Sequence, residues 1–217
     1  MKLIDVSHVV EDGMLTYKGL PPPEISDYLS REASRQQYAE GTSFHIGKIN
    51  MVANTGTYID APFHRYVEGK DLSALDLCSL VNLDGMVFRA DPESREINPE
   101  LFEDRALRGK AVLIHTGWAK FWRTDIYFEG HPFVTEKAAR FLTASDVALV
   151  GIDSVNIDDT ADATRPAHSI LLGAGIPVLE HLCNLEALPD RGFKFFAVPV
   201  KVKGLGSFPV RAFGMIT

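Results

Sequence analysis

The chain has 217 residues, 46% of them hydrophobic and 24% charged, with 22 Lys plus Arg against 29 Asp plus Glu and a formal net charge of −7. This composition excludes a disordered chain, and the acidic balance argues against a nucleic-acid or anionic-membrane partner. The two cysteines, Cys78 and Cys183, have no metal-finger or redox spacing, which points away from a disulfide framework and toward the reducing cytoplasm.

The first residues reach Asp5 after two apolar positions, without an apolar core of signal-peptide length. Lys2–Val6 predicts a strand. A polar excursion follows over Lys18–Gly41, holding Pro21-Pro22-Pro23 and a short helix around Ser26–Ala39. Ser43–Ala53 predicts a second, longer strand. Leu72–Val81 has apolar residues at helical spacing, with Ser73 as its cap. Gly85–Ala90 reads as a strand, and Asn98-Pro99 as the start of a helix.

Ala111–Thr116 and Val147–Ile152 are apolar runs of buried-strand length, far too short to span a membrane. Between them, Thr135–Ala144 predicts a helix capped by Thr135, with Glu136 favouring its positive end. Ser169–Gly173 reads as a short helix. Pro177–Glu180, Phe195–Lys203 and Val210–Thr217 complete the strands. The set predicts a single α/β domain over residues 1–217 around a mixed sheet, because consecutive C-terminal strands without helices disfavour an all-parallel one.

The most informative segment is Asn54-Thr55-Gly56-Thr57-Tyr58-Ile59-Asp60-Ala61-Pro62-Phe63-His64. Pro62 keeps Asp60 and His64 from sharing a helix face, so the segment reads as a rigid turn presenting a carboxylate and an imidazole. Such a pair serves a metal site or acid/base chemistry; it serves equally as a capping Asp beside a surface His. A second segment puts His168 just before an apolar helix and Glu180 at the end of an apolar strand. By themselves these are also a hydrogen-bonded core His and a solvated strand end.

Together the segments resemble the cyclase family, which includes bacterial kynurenine formamidase and isatin hydrolase. The family signature runs His-x-Gly-Thr-His-x-Asp-x-Pro-x-His. The chain matches it at Gly56, Thr57, Asp60, Pro62 and His64. The resemblance extends over nearly the whole chain, through Ile4-Asp5-Val6-Ser7-His8, His115-Thr116-Gly117-Trp118, Val150-Gly151-Ile152-Asp153-Ser154, Pro199–Gly204 and Pro209–Ala212. It implies a cyclase-like, swivelling β/β/α fold and metal-dependent hydrolysis of small amides, formamides or lactams. It also implies a homodimer or homotetramer acting on a small-molecule substrate. Asp60, His168 and Glu180 would be metal ligands, His64 the proton shuttle, and Tyr17 a substrate contact.

The chain departs from the signature at two ligand positions, where Asn54 and Tyr58 replace histidines. An amide oxygen and an un-ionised phenol are poorer donors for Zn²⁺ or Mn²⁺ than imidazole, so one divalent metal is expected rather than two. Asn54 and Tyr58 would then be free to contact substrate, and His45 on the preceding strand offers a substitute ligand or an ordinary strand side chain. The favoured expectation is a one-metal hydrolase of a small C–N or C–O acyl bond. The alternative is a metal-free relative, either a small-molecule binding protein or a cyclase or dehydratase relying on His64. Lys201 and Arg211 are further candidates for a substrate carboxylate, though strand-face charge is the favoured reading of both.

Overall fold

The structure, a computed structural model, describes residues 1–216. Nine strands form one mixed sheet. In spatial order they are β1 (Lys2–Asp5), β13 (Phe213–Ile216), β11 (Arg191–Phe196), β5 (Leu83–Arg89), β7 (Ala111–His115), β9 (Leu149–Ile152), β10 (Val178–Glu180), β4 (Tyr58–Asp60) and β12 (Ser207–Pro209). The four central strands, β5, β7, β9 and β10, run parallel, and the flanking strands pair antiparallel on both sides. This is the expected α/β class with a mixed sheet.

Each face of the sheet carries an apolar core. One gathers Ile59, Leu113, Leu179, Leu182 and Phe195. The other holds Val112, Ile114, Val150 and Ile152 beneath two helices, α2 (Glu136–Ala144) and α3 (Pro166–Gly173). Burial on both faces explains why β7 and β9 read as continuous apolar runs. Helix α2 forms as its sequence predicts. Thr135 Oγ1 accepts the Ala138 N–H at 3.3 Å, Ala138, Ala139 and Leu142 turn inward, and Arg140 pairs with Glu136 one turn back on the solvent side.

Several elements differ from expectation. The excursion contains a hairpin, β2 (Glu24–Leu29) with β3 (Ile46–Asn50), and only a five-residue helix, α1 (Arg31–Arg35), capped by Ser30. The strand expected at Ser43–Ala53 is therefore the hairpin's exposed arm, outside the main sheet. Leu72–Val81 is not a helix. Asp71 Oδ1 accepts from the Ser73 and Ala74 N–H groups, so the chain closes an Asx turn, and one 3-10 turn at Leu77–Ser79 follows.

Asn98-Pro99 likewise opens only a 3-10 turn, Pro99–Leu101, because the Asn98 side chain accepts from Thr135 instead of capping. It is followed in sequence by no helix before β7. A small parallel pair, β6 (Glu96–Ile97) with β8 (Phe133–Val134), ties this region to the start of α2. At the C-terminus the expected strand Phe195–Lys203 ends at Phe196. The expected strand Val210–Thr217 is confined to β13, Phe213–Ile216, with Thr217 outside the described residues, and the short β12 before it was not expected. Among the described residues no helix is long and apolar enough to cross a membrane.

Candidate active site

The site forms where β4 lies between β10 and β12. Tyr58 and Asp60 are two residues apart on β4, so both side chains leave the same face of the sheet, while Ile59 goes into the core. Register then selects their neighbours: Tyr58 stands opposite Glu180 and Asp60 opposite Ser207. Both cross-strand pairs are hydrogen-bonded. Tyr58 donates its hydroxyl proton to Glu180 Oε2 at 2.5 Å, and Ser207 Oγ donates to Asp60 Oδ1.

The segment after β4 is a 3-10 turn, Pro62–His64, which brings His64 back toward the same strand end. His64 Nδ1 lies 2.9 Å from Ser207 Oγ. Since that hydroxyl gives its proton to Asp60, it accepts from Nδ1–H, which leaves the His64 Nε2 lone pair free. The contact requires a glycine at position 206. A Cβ there would stand 2.5 Å from the His64 backbone N and Cα, so only the bare backbone lets this strand pass over the turn.

His168 enters from the first turn of α3. Its Nδ1 is 2.6 Å from Asp158 Oδ2, and the same carboxylate accepts the backbone N–H groups of Ala167 and His168. Asp158 thus satisfies two of the helix's free N–H groups and orients the imidazole. His168 Nε2 then faces the sheet, 3.5 Å from Asp60 Oδ2 and 3.5 Å from Glu180 Oε1. Glu180 is further held by the Ile157 N–H at 2.6 Å, and Asn156 Nδ2 links it to the Tyr17 hydroxyl.

Charge in this corner is concentrated and dry. Asp60, Asp158 and Glu180 are buried, and His168 nearly so. Burial pushes the Glu180 carboxyl up to about 7, opposed by His168 and reinforced by Asp60. Burial would lower the His168 imidazole, but the Glu180 charge, the bond to Asp158 and the nearby Asp60 carboxylate overcome it and raise the group to about 10. Burial first and the Glu180 charge second hold the Tyr58 phenol well above its ordinary range, so it stays protonated as a donor.

Three buried carboxylates thus face one imidazole, and Asp60 Oδ2 is buried without any hydrogen-bond partner. An orphaned carboxylate oxygen in such a place is costly unless a cation meets it. The donor set of carboxylates and imidazole fits a divalent metal ion. Donor atoms of Asp60, His64 and His168 all lie within 4.8 Å of one another, and Glu180 Oε1 approaches the same His168 Nε2 that faces Asp60.

The seven residues favoured for the site sit in or beneath one cleft of about 310 Å³. Tyr17, Asn54, Tyr58, His64, His168 and Glu180 line it, and Asp60 lies at its floor against His64 and His168. His45 does not: it sits on the exposed hairpin, 2.8 Å from Asp27, and substitutes for no ligand. Lys201 is exposed, and Arg211 pairs with Asp5 at the far edge of the sheet.

Sequence reasoning missed Asp158, Asn156 and Ser207, whose roles depend on register and loop path. It also missed two arginines lining the cleft, Arg65 and Arg165. The one signal for them was local, since Arg65 directly follows His64 and Arg165 stands three residues before His168. Arg165 caps α3 with φ 50° and ψ 60°, a left-handed backbone that costs a non-glycine residue about 1–2 kcal/mol.

The model of the family described as "Putative cyclase" matches residues 4–159. The chain is 32% identical to a kynurenine formamidase of Geobacillus thermodenitrificans, over 96% of this chain and 95% of the relative. Among solved structures, isatin hydrolase A from Labrenzia aggregata superposes with TM-score 0.84 at 23% identity, covering 100% of this chain and 94% of that one. A potential metal-dependent hydrolase with cyclase activity superposes with TM-score 0.81 at 26% identity, covering 100% and 98%. With the signature residues of β4 and its following turn in one cleft, and with relatives matching from end to end, the chain belongs to the cyclase family.

Proposed function

We propose that the protein is a metal-dependent hydrolase of a small amide or formamide, arylformamidase-like in its choice of C–N bond. The observation that carries this reading is the unpartnered, buried Asp60 Oδ2 beside His168 Nε2, in the same cleft as His64. Asp60, His168 and Glu180 would hold one ion, zinc or manganese. When bound, such an ion polarises an acyl oxygen and lowers the pKa of water.

The chain's own residues do the rest. His64, its Nδ1 occupied by Ser207, presents Nε2 to take a proton from water and return it to the leaving nitrogen. The Asn54 amide N–H donates to the acyl oxygen as negative charge develops there. Tyr58 is spent on Glu180, so it positions that carboxylate and walls the cleft. Tyr17 and Leu20 supply an apolar wall that suits an aromatic or aliphatic body. Cys78 and Cys183 are free thiols, which suits the cytoplasm, and a homodimer or homotetramer is the proposed assembly.

A second reading rests on His168. Held as an imidazolium among Asp60, Asp158 and Glu180, it is itself a cation for that corner. A chain using it so would bind a small molecule without metal, or act as a cyclase or dehydratase through His64. Elemental analysis of protein purified without chelator, together with formate release from formanilide, separates the two. A stoichiometric ion and chelator-sensitive release support the hydrolase; no bound ion and no release support the second reading.

A further inference from the structure

The cleft has two ends of opposite charge. Its floor carries Asp60 and Glu180 around His168, and its mouth carries Arg65 and Arg165. Among the described residues neither arginine has a carboxylate oxygen within 4 Å, although many of the chain's other arginines do. Each is braced by a single neutral acceptor, which leaves its other donors free. Arg165 donates from NH1 to the Asp159 carbonyl at 3.0 Å, and Arg65 donates from Nε to Ser169 Oγ at 3.1 Å. Ser169 belongs to α3 and Arg165 directly precedes it, so both cations are placed about the start of that helix.

Arg165 is the more telling of the two. It is half-buried, and its left-handed backbone lies directly before Pro166, a position that favours extended conformations. A bulky residue is held there against two local preferences, and the result is a guanidinium on the cleft wall. Such strain persists only where surrounding structure enforces it, and it concentrates at sites that bind. A guanidinium left without an anionic partner presents a planar fork of donors that matches a carboxylate.

We propose that Arg165, seconded by Arg65, is the receptor for a carboxylate carried by the substrate, so that the preferred substrate class is an acyl amide with a separate anionic group. This rests on the amide-hydrolase reading above. In it, the scissile bond lies at the Asp60–His64–His168 floor, the apolar body lies against Tyr17 and Leu20, and the carboxylate lies at the mouth. A charge-assisted contact of this kind is commonly equivalent to about 10- to 100-fold in affinity. Arg165 is then a specificity-determining residue, distinct from the residues that handle the proton.

The test compares formanilide with 3-formamidobenzoate in wild type, Arg165→Met, Arg165→Lys and Arg65→Met, all checked for folding by circular dichroism. Wild type should favour the carboxylate in kcat/KM by about 10- to 100-fold, less at high salt. Arg165→Met should bring the ratio near one, Arg165→Lys should restore part of it, and Arg65→Met should reduce it less.

Calorimetric binding of 3-aminobenzoate and of its methyl ester by the same proteins needs no turnover. Tighter binding of the acid that disappears in Arg165→Met supports the receptor even if formanilide is not hydrolysed and the hydrolase reading fails. Equal handling of acid and ester by wild type, or a preference that survives both methionine variants, overturns the proposal.

Discussion

Tyr58 and Glu180 stand directly opposite each other in the β4–β10 ladder, and the phenol gives its proton to the carboxylate across 2.5 Å in a fully buried place. A side chain at a position where the family signature has a histidine is therefore part of the hydrogen-bonded frame. Tyr58→Phe removes the donor and leaves Glu180 Oε2 with only the long contact from Asn156. The expected loss is about 1–3 kcal/mol of stability, the cost of an under-satisfied buried acceptor. Urea unfolding of the two proteins checks it, and equal midpoints and slopes would contradict it.

Restoring the signature tests the ligand argument. Asn54→His with Tyr58→His adds two imidazole donors and also releases Glu180 Oε2 from the phenol. Metal occupancy should rise, toward two ions, when variant and wild type are equilibrated in the same zinc and manganese buffers. Equal occupancy would mean that these positions do not face the ion.

His64 is expected to act on protons without holding the ion. In His64→Gln, turnover should fall about 10²–10⁴-fold while metal content and stability stay near wild type. Loss of the ion along with activity would make His64 a ligand, an arrangement that the close grouping of Asp60, His64 and His168 permits. Metal analysis beside steady-state kinetics distinguishes the two.

Asp158 touches no ligand position except through His168. Asp158→Asn keeps one carbonyl oxygen, for the Ala167 N–H, but loses the second oxygen and the charge that orient the imidazole. Metal affinity should weaken about 10- to 100-fold with the far-UV spectrum unchanged, as competition with a chromophoric chelator would report. An unchanged affinity would reduce Asp158 to a helix cap.

His8 stacks on Trp122 with ring centroids 4.0 Å apart, and burial lowers it to about 4. His181, wholly buried beside Tyr127, is lowered to about 3 by burial. Both are neutral when folded and become protonated near pH 6.5 when unfolded. Their contribution is thus complete above pH 6.5 and declines as pH falls toward the folded values. For His8 alone the loss by pH 5 is about 2 kcal/mol. Unfolding of wild type and His8→Phe at pH 7 and pH 5 measures it: the variant should lose less, and identical losses would contradict the assignment.

The helix α2 and the buried strands β7 and β9 were legible because each is specified locally, by a cap and an apolar stripe or by an unbroken apolar run. Leu72–Val81 was misread because helical spacing of apolar residues also suits a chain that dips repeatedly into a core, and Asp71 decides between them. The cleft was legible through Asp60 and His64 of the signature and the later pair His168 and Glu180, which the fold brings together. Ser207 and Asp158 were not, since what makes them matter is the strand opposite Asp60 and the loop before α3. Arg65 and Arg165 were invisible for the same reason: no spacing rule says which surface arginines share a cleft.

The ladder through β10, β4 and β12 has a consequence for folding. Val178, Asp60 and Ser207 form one row across it, and Glu180, Tyr58 and Pro209 another. A slip of β4 by one residue would turn Tyr58 and Asp60 toward the apolar face and Ile59 toward the acids. Both hydrogen-bonded pairs would be lost in that single step, leaving buried polar groups bare. A three-residue strand has little else to fix its alignment, so the polar residues of the cleft also discriminate the native pairing from its nearest misfolded competitor.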